Sequence, residues 1–257
     1  CWMNNFWLLT PEFLVAGLAF ILLAVDLFIQ DKHRVILPWI AFLGLVIILG
    51  VILLIDNSGD LYDGILVFDE FTKYFRLLLV SVAIFIVLMS KDYVKDRLEN
   101  VGEYYGILIF TLVGAMLLSS SSELLTAYIS LELLSFGLYV LVAFDRYNPK
   151  SNEAGTKYIL LGAFSSAIIL YGISHIYGLL GTTKFVDIAE ALSGLSEMSP
   201  ALILGFVLIL TGLLFKLAAV PFHMWAPDAY EGSPVPITAW LSVGSKIAVM
   251  ALVIRFF

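Results

Sequence analysis

Eight times along this chain an apolar run reaches the length needed to cross a bilayer: residues 11–29, 35–55, 71–90, 104–121, 123–144, 156–181, 200–222 and 236–256. A hydrocarbon core of about 30 Å takes roughly 20 helical residues, and the backbone groups inside it must be satisfied within the chain. Of the 257 residues, 61% are hydrophobic and 14% charged, where a soluble domain carries roughly 25% charged. The expected fold is therefore an all-α polytopic membrane protein of about eight transmembrane helices. The polar, Gly- and Pro-bearing stretches between the runs read as short connections, none long enough for a soluble domain. One of them, Lys184 to Met198, spaces Phe185, Ile188, Ala189, Leu192 and Leu195 as a short interfacial helix would.

Several function classes drop out. Fourteen Lys+Arg against 21 Asp+Glu give a net charge of −7 without a basic block, which argues against nucleic acid as a partner. A single cysteine, Cys1, leaves no disulfide framework and no Cys-based zinc or iron–sulfur site. No charged segment precedes a cleavage site, so no signal peptide is expected, and the chain reads as a piece of a longer one. The connections after runs one, three and five hold Lys32, Arg34, Lys91, Lys95, Arg97, Arg146 and Lys150, whereas the opposite side holds Lys184 and Arg255, with Lys73 and Arg76 near its mouth. By the positive-inside tendency the N-terminus is expected outside a cell inner (plasma) membrane.

Ionisable residues inside the runs carry most of the information. Glu132 lies near the centre of the fifth run, Lys216 in the seventh and Lys246 in the eighth. Each costs at least about 2.5–3.5 kcal/mol at the bilayer centre, so all three should face the bundle interior. Tyr128, Ser135 and Tyr139 fall at i−4, i+3 and i+7 from Glu132 and form one polar stripe with it. Gly212 and Ala219 flank Lys216 at i−4 and i+3, small enough for a neighbouring helix to approach. A structural ion pair or snorkelling amines would be the plain alternative. Pro221 lacks an N–H for Leu217, so the seventh run should kink or stop there, and three further prolines follow before residue 237. Interrupted helices beside buried charges are how transporters build ion sites, although an ordinary loop would explain the prolines too. His223, at i+7 from Lys216, could relay protons or serve as a cap or packing residue. Lys157 is either a proton donor at the inner mouth or an anchor. Asp26, Glu123, Lys73 and Arg76 read as interfacial charges.

The stretches SLELLSFGLYVLVAFDRYNPKSNEAGTKYILLGAFSSAIILYG and LTGLLFKLAAVPFHMWAPDAYEGSPVPITAWLSVGSKIA resemble the antiporter-like membrane subunits of proton-pumping NADH:quinone oxidoreductase, respiratory complex I. Among the N, L and M types, AGTKYILLGAFSSAIILYG and DAYEGSPVPITAWLSVGSKIA point to the N type. The resemblance implies that Glu132 and Lys216 are the family's glutamate–lysine pair, that Lys246 is its central-axis lysine, and that the seventh span is its discontinuous helix. It also implies about fourteen spans in two inverted five-helix repeats. On that basis residues 1–103 are expected to form three N-terminal helices and residues 104–257 the first repeat, the second being absent.

The expected function is proton translocation through a buried Glu/Lys relay, driven by quinone reduction in partner subunits. NAD, FMN, iron–sulfur clusters and quinone would belong to those partners, because this chain has neither a Gly-rich dinucleotide fingerprint nor a cysteine cluster. Expected partners are an antiporter-like neighbour, small core subunits, the lipid bilayer and protons. A subunit of a multi-subunit sodium/proton antiporter is the alternative, and a static helix scaffold is the non-transporting one.

Overall fold

The computed structural model describes residues 5–55, 58–98, 100–195 and 197–257, with the side chains of 31–33 left aside. Cys1 and the side chain of Lys32 lie outside the described residues. After a 3-10 turn at Phe6–Leu9 come helices α1, Thr10–Phe28, and α2, Leu37–Leu54. Both take a proline into their first turn, where its missing N–H would have had no partner anyway. The connection that follows, expected as a plain loop, forms a small antiparallel hairpin instead, with β1 at Gly59–Leu61 and β2 at Leu66–Phe68. Tyr62, Asp63 and Gly64 turn it at positive φ, and Asp60 accepts the Gly64 N–H at 3.0 Å. Alternation of Leu61, Leu66 and Phe68 buries one face of the hairpin against Leu8 and Leu9.

Helix α3, Glu70–Arg97, begins at an N-cap carboxylate, Asp69, that accepts the Thr72 N–H at 2.8 Å. It outruns the expected span by about two turns, through Lys91, Lys95 and Arg97. α4, Val101–Ser120, packs at the centre between α1, α3, α5 (Leu124–Val142) and the C-terminal helix α11 (Gly244–Phe256). Glu123 caps α5 through the N–H groups of Leu125 and Thr126. α6 runs over Pro149–Leu180 and stops at Gly181, whose φ of 74° suits a residue without Cβ. The short amphipathic helix expected in the next connection is α7, Phe185–Ser193. Then come α8 at Pro200–Lys216, α9 at Ala226–Gly232 and α10 at Val235–Ser242.

Among the described residues seven helical segments are long and apolar enough to span a membrane, with α10 and α11 counted as one, Val235–Phe256. The seventh expected run forms a shorter helix: α8 has 17 residues, hence about 25 Å of rise, and turns follow it up to α9. Helices α6 and α8 lie backbone to backbone: a methyl group on Gly172 would meet the Gly205 carbonyl oxygen at 2.7 Å. Large apolar side chains such as Phe20, Phe28, Leu54, Phe85 and Phe164 cover the outside, as suits a bundle whose solvent is hydrocarbon.

Charges collect at the two ends of the bundle. At the end holding the hairpin, Arg255 grips Asp69 at 2.9 Å and Lys184 holds Asp63 at 2.8 Å. Here the reading of Arg76 as an interfacial charge is corrected, because Arg76 is buried and pairs with Glu12 at 2.6 Å. The Arg76 guanidinium also donates to the Leu8 carbonyl and lies 4.5 Å from the Phe68 ring centroid, so the hairpin roofs it over. At the opposite end Arg34 pairs with Asp26 at 3.2 Å, and Lys150 with Glu231 at 2.8 Å.

Candidate functional site

The site is built where α8 ends. Sequence reasoning puts the break at Pro221, but the helix stops at Lys216, one turn earlier. The cause lies in the backbone. Ala218 adopts φ of 55°, its N–H donates to the Phe215 carbonyl at 2.9 Å, and the Ala219 N–H reaches back to Leu214 O at 2.9 Å. That is a Schellman termination with alanine where glycine is usual, a conformation costing an L-residue roughly 1–2 kcal/mol. Trp225 supports it: its indole N–H donates to Phe215 O at 2.8 Å, closing the chain excursion 217–225 onto the helix end. Lys216 thus sits in the last helical turn, where the negative end of the helix dipole favours a cation.

The Lys216 side chain reaches α5. Its Nζ donates to Ser135 Oγ at 2.9 Å and to Tyr139 OH at 3.2 Å, and stands 3.8 Å from Glu132 Oε1. Only 6% of Lys216 is exposed, so hydroxyls and carboxylate replace the water it has lost. Glu132 in turn accepts a short hydrogen bond from Ser166 on α6. Three helices therefore meet on one ion pair: α5 contributes the carboxylate and two hydroxyls at helical spacing, α6 a serine, and α8 the amine. Close packing of α6 on α8, including the Ser165 hydroxyl bond to Gly212 O at 3.1 Å, fixes this arrangement.

Lys246 is not in the middle of a continuous helix. The span breaks at Val243 between α10 and α11, and Lys246 occupies the first turn of α11, 5.4 Å from the Tyr230 ring centroid. Between the two amines runs a column of aromatic rings. Tyr139 meets Tyr158 at 4.8 Å, Tyr158 stacks on Trp225 at 4.8 Å, and Trp225 meets Tyr230 at 6.0 Å. Tyr230 OH and His223 Nδ1 are buried and have no hydrogen-bond partner among the described residues. Lys157 lies at the mouth of the bundle, 44% exposed, with Asp228 at 2.8 Å and Glu153 at 2.7 Å. On the same rim, the Lys150 ammonium bonded to Glu231 holds that carboxyl below its ordinary range.

Sequence reasoning missed two participants in the site, Ser166 and Trp225, and one buried charge away from it, Glu12. Ser166 could have been found as one of two adjacent serines inside an apolar run, and Trp225 as an indole beside a run of prolines. Glu12 carries a signal in the sequence because it opens an apolar span, but its partner Arg76 is 64 residues away.

A membrane helix bundle whose interrupted span brings a buried amine to a carboxylate is the class of protein this fold and site define. The chain belongs to the NADH:quinone oxidoreductase/Mrp antiporter transmembrane family, whose model matches residues 121–257. It is 44% identical over 255 residues to NADH-quinone oxidoreductase subunit N of Moorella thermoacetica, covering 99% of this chain and 53% of that protein. Against subunit N of Desulforamulus reducens identity is 40%, over 98% of this chain and 53% of the relative. The chain therefore spans about half the length of the curated relatives it matches. A chain of respiratory complex I from Thermus thermophilus with bound aureothin superposes with a TM-score of 0.79 at 28% identity, over 96% of this chain and 53% of that one.

Proposed function

We propose that this chain is a proton-translocating part of an NADH:quinone oxidoreductase membrane arm, with Glu132, Lys216 and Lys246 as its relay. The observation that carries the proposal is the buried Lys216 ammonium, 3.8 Å from Glu132, at the end of an interrupted helix. The names of the relatives support this reading over a sodium/proton antiporter subunit.

The chemistry needs an amine whose hold on its proton changes when its carboxylate moves. At an effective dielectric of about 20, opening the pair from 3.8 Å to about 8 Å weakens the attraction from about 4 to about 2 kcal/mol. That is roughly 30-fold in the balance between charged and neutral amine. Ser135 and Tyr139 keep the amine solvated in either state. A released proton passes along the Tyr158–Trp225–Tyr230 side of the break to Lys246, with Tyr230 OH and His223 offering exchangeable positions beside it. Lys157, exposed at the rim, supplies protons from the side where the cationic connections lie. That side is the inside of a cell inner membrane, and the N-terminus is outside. Residues 104–257 are the repeat that carries the relay, and residues 1–103 supply the three N-terminal helices, α1 and α3 packed against α4.

No redox step is assigned to this chain. NAD, FMN, iron–sulfur clusters and quinone belong to partner subunits, and an antiporter-like neighbour and small core subunits flank it. The test is Lys216→Ala in the full-length subunit within its complex, followed by quenching of a pH-sensitive dye in proteoliposomes during NADH oxidation. Proton uptake is expected to fall at least tenfold per electron, and undiminished uptake at a full electron-transfer rate overturns the proposal.

A further inference from the structure

The cationic end of the bundle holds a groove that the relay does not use. Its volume is about 550 Å³, within the range of about 300–1,000 Å³ that ligand sites occupy. Three cations line it, Arg34 before α2 and Lys91 and Lys95 on the last turns of α3; Arg34 is paired with Asp26 at 3.2 Å, and no carboxylate is among the described lining residues. The floor is apolar, with Val94 and Leu98 from α3 and Val101 from α4. Lys91, Val94, Lys95 and Leu98 share one face of α3 at i, i+3, i+4 and i+7, so amines and apolar groups alternate along a single wall. Asp92 and Asp96 are absent from the lining. Lys91 also lies 4.8 Å from the Trp39 ring centroid, and Trp39 is 44% exposed, an indole of the kind enriched where membrane proteins meet headgroups.

The start of α4 completes the groove. Asn100 is the N-cap residue of α4 but its side chain makes no capping hydrogen bond, and it too faces the groove. An uncapped helix start offers backbone N–H groups and a positive dipole end to an anion. The groove thus presents ammonium groups, a guanidinium, an amide and the first turn of α4 over buried apolar side chains, with Val35 and Trp39 exposed beside it.

We propose that this groove between α2, α3 and α4 is a binding site for one anionic phospholipid, its phosphodiester held by Lys91 and Lys95 beside the Asp26-paired Arg34 and the start of its acyl chains laid against the exposed Val35 and Trp39. A soluble anion would leave the exposed Val35 and Trp39 uncovered, and a zwitterionic lipid would bring its own cation to the Lys91 and Lys95 ammonium groups. Each Lys or Arg near an anionic membrane surface strengthens binding by about fivefold, so removing two amines weakens it by about 30-fold.

The test is native mass spectrometry of the full-length protein released from detergent micelles doped with phosphatidylglycerol or with phosphatidylcholine. One retained phosphatidylglycerol is expected on the natural protein, and a loss of about 30-fold in its apparent affinity on Lys91→Gln/Lys95→Gln, but not on Lys150→Gln, at the same end of the bundle but outside the groove. Equal retention by the double variant, equal retention of phosphatidylcholine, or displacement by inorganic phosphate at matched concentration overturns the proposal. Should the double variant fail to fold, photoactivatable phosphatidylglycerol on the natural protein decides: labelling confined to peptides from 34–39 and 91–101 supports it, and labelling elsewhere refutes it.

Discussion

Glu132→Gln isolates the charge of the carboxylate from its shape. The substitution keeps the side-chain volume and leaves an oxygen able to accept from Ser166, so the three-helix junction persists. What disappears is the attraction across 3.8 Å, about 4 kcal/mol at an effective dielectric of about 20. A neutral amide returns about 1 kcal/mol through hydrogen bonding, leaving a net loss of about 3 kcal/mol in the stabilisation of the charged amine. That is roughly two orders of magnitude in its occupancy. The assay is proton uptake per electron in proteoliposomes of the full-length complex, run beside thermal unfolding of the same preparation. Uptake is expected to drop at least tenfold while the unfolding midpoint moves by only a few degrees. Exchanging the partners, Glu132→Lys with Lys216→Glu, separates a static pair from a directed relay. A static pair tolerates reversal; the relay does not, because the amine would then sit on continuous α5 and the acid on the interrupted helix. Full uptake in Glu132→Gln, or in the exchanged pair, refutes the reasoning.

Arg76→Ala strands the Glu12 carboxylate, whose Oε2 already lacks a partner among the described residues, and should cost about 3–5 kcal/mol in thermal or denaturant unfolding, whereas Arg76→Met with Glu12→Leu should be close to neutral. Tyr230→Phe removes a buried hydroxyl without a partner, so stability should hold or rise by about 1 kcal/mol while proton uptake falls, and unchanged uptake would take Tyr230 out of the path. The hairpin tether has its own pH dependence. Hydrogen bonding to Lys184, then its charge, lowers the Asp63 carboxyl below 3.8, and the same bond raises the Lys184 amine above 10.5. Its contribution is therefore full between those ordinary values, lost on acidification only as pH falls through the lowered Asp63 value, and lost in alkali as pH rises through the raised Lys184 value. Hydrogen exchange at Leu66 and Ser122 should stay slow through neutral pH and speed up in Asp63→Asn.

Membrane spans were legible in the sequence because their cause is local: about 20 apolar residues cannot remain in water, whatever else the chain does. The polar stripe of Glu132, Ser135 and Tyr139 was legible too, since helical spacing alone places those three on one face. The short helix α7 followed from the same periodicity. The end of α8 was not, because proline chemistry marks Pro221 while the termination depends on the positive φ of Ala218 and on the indole of Trp225 donating to Phe215 from ten residues away.

By itself, then, the sequence determined which segments leave water and which charges must be hidden from lipid, since both are settled by transfer free energies of individual side chains. Tertiary structure alone decided what those hidden charges meet. Whether Arg76 faces headgroups or Glu12, how far Lys216 lies from Glu132, and that Lys246 opens a helix beside Tyr230 depend on contacts between residues 64, 84 and 16 positions apart. No helical or strand period links such residues. Only the close approach of glycine-faced helices and the folding back of the interrupted span bring them within reach.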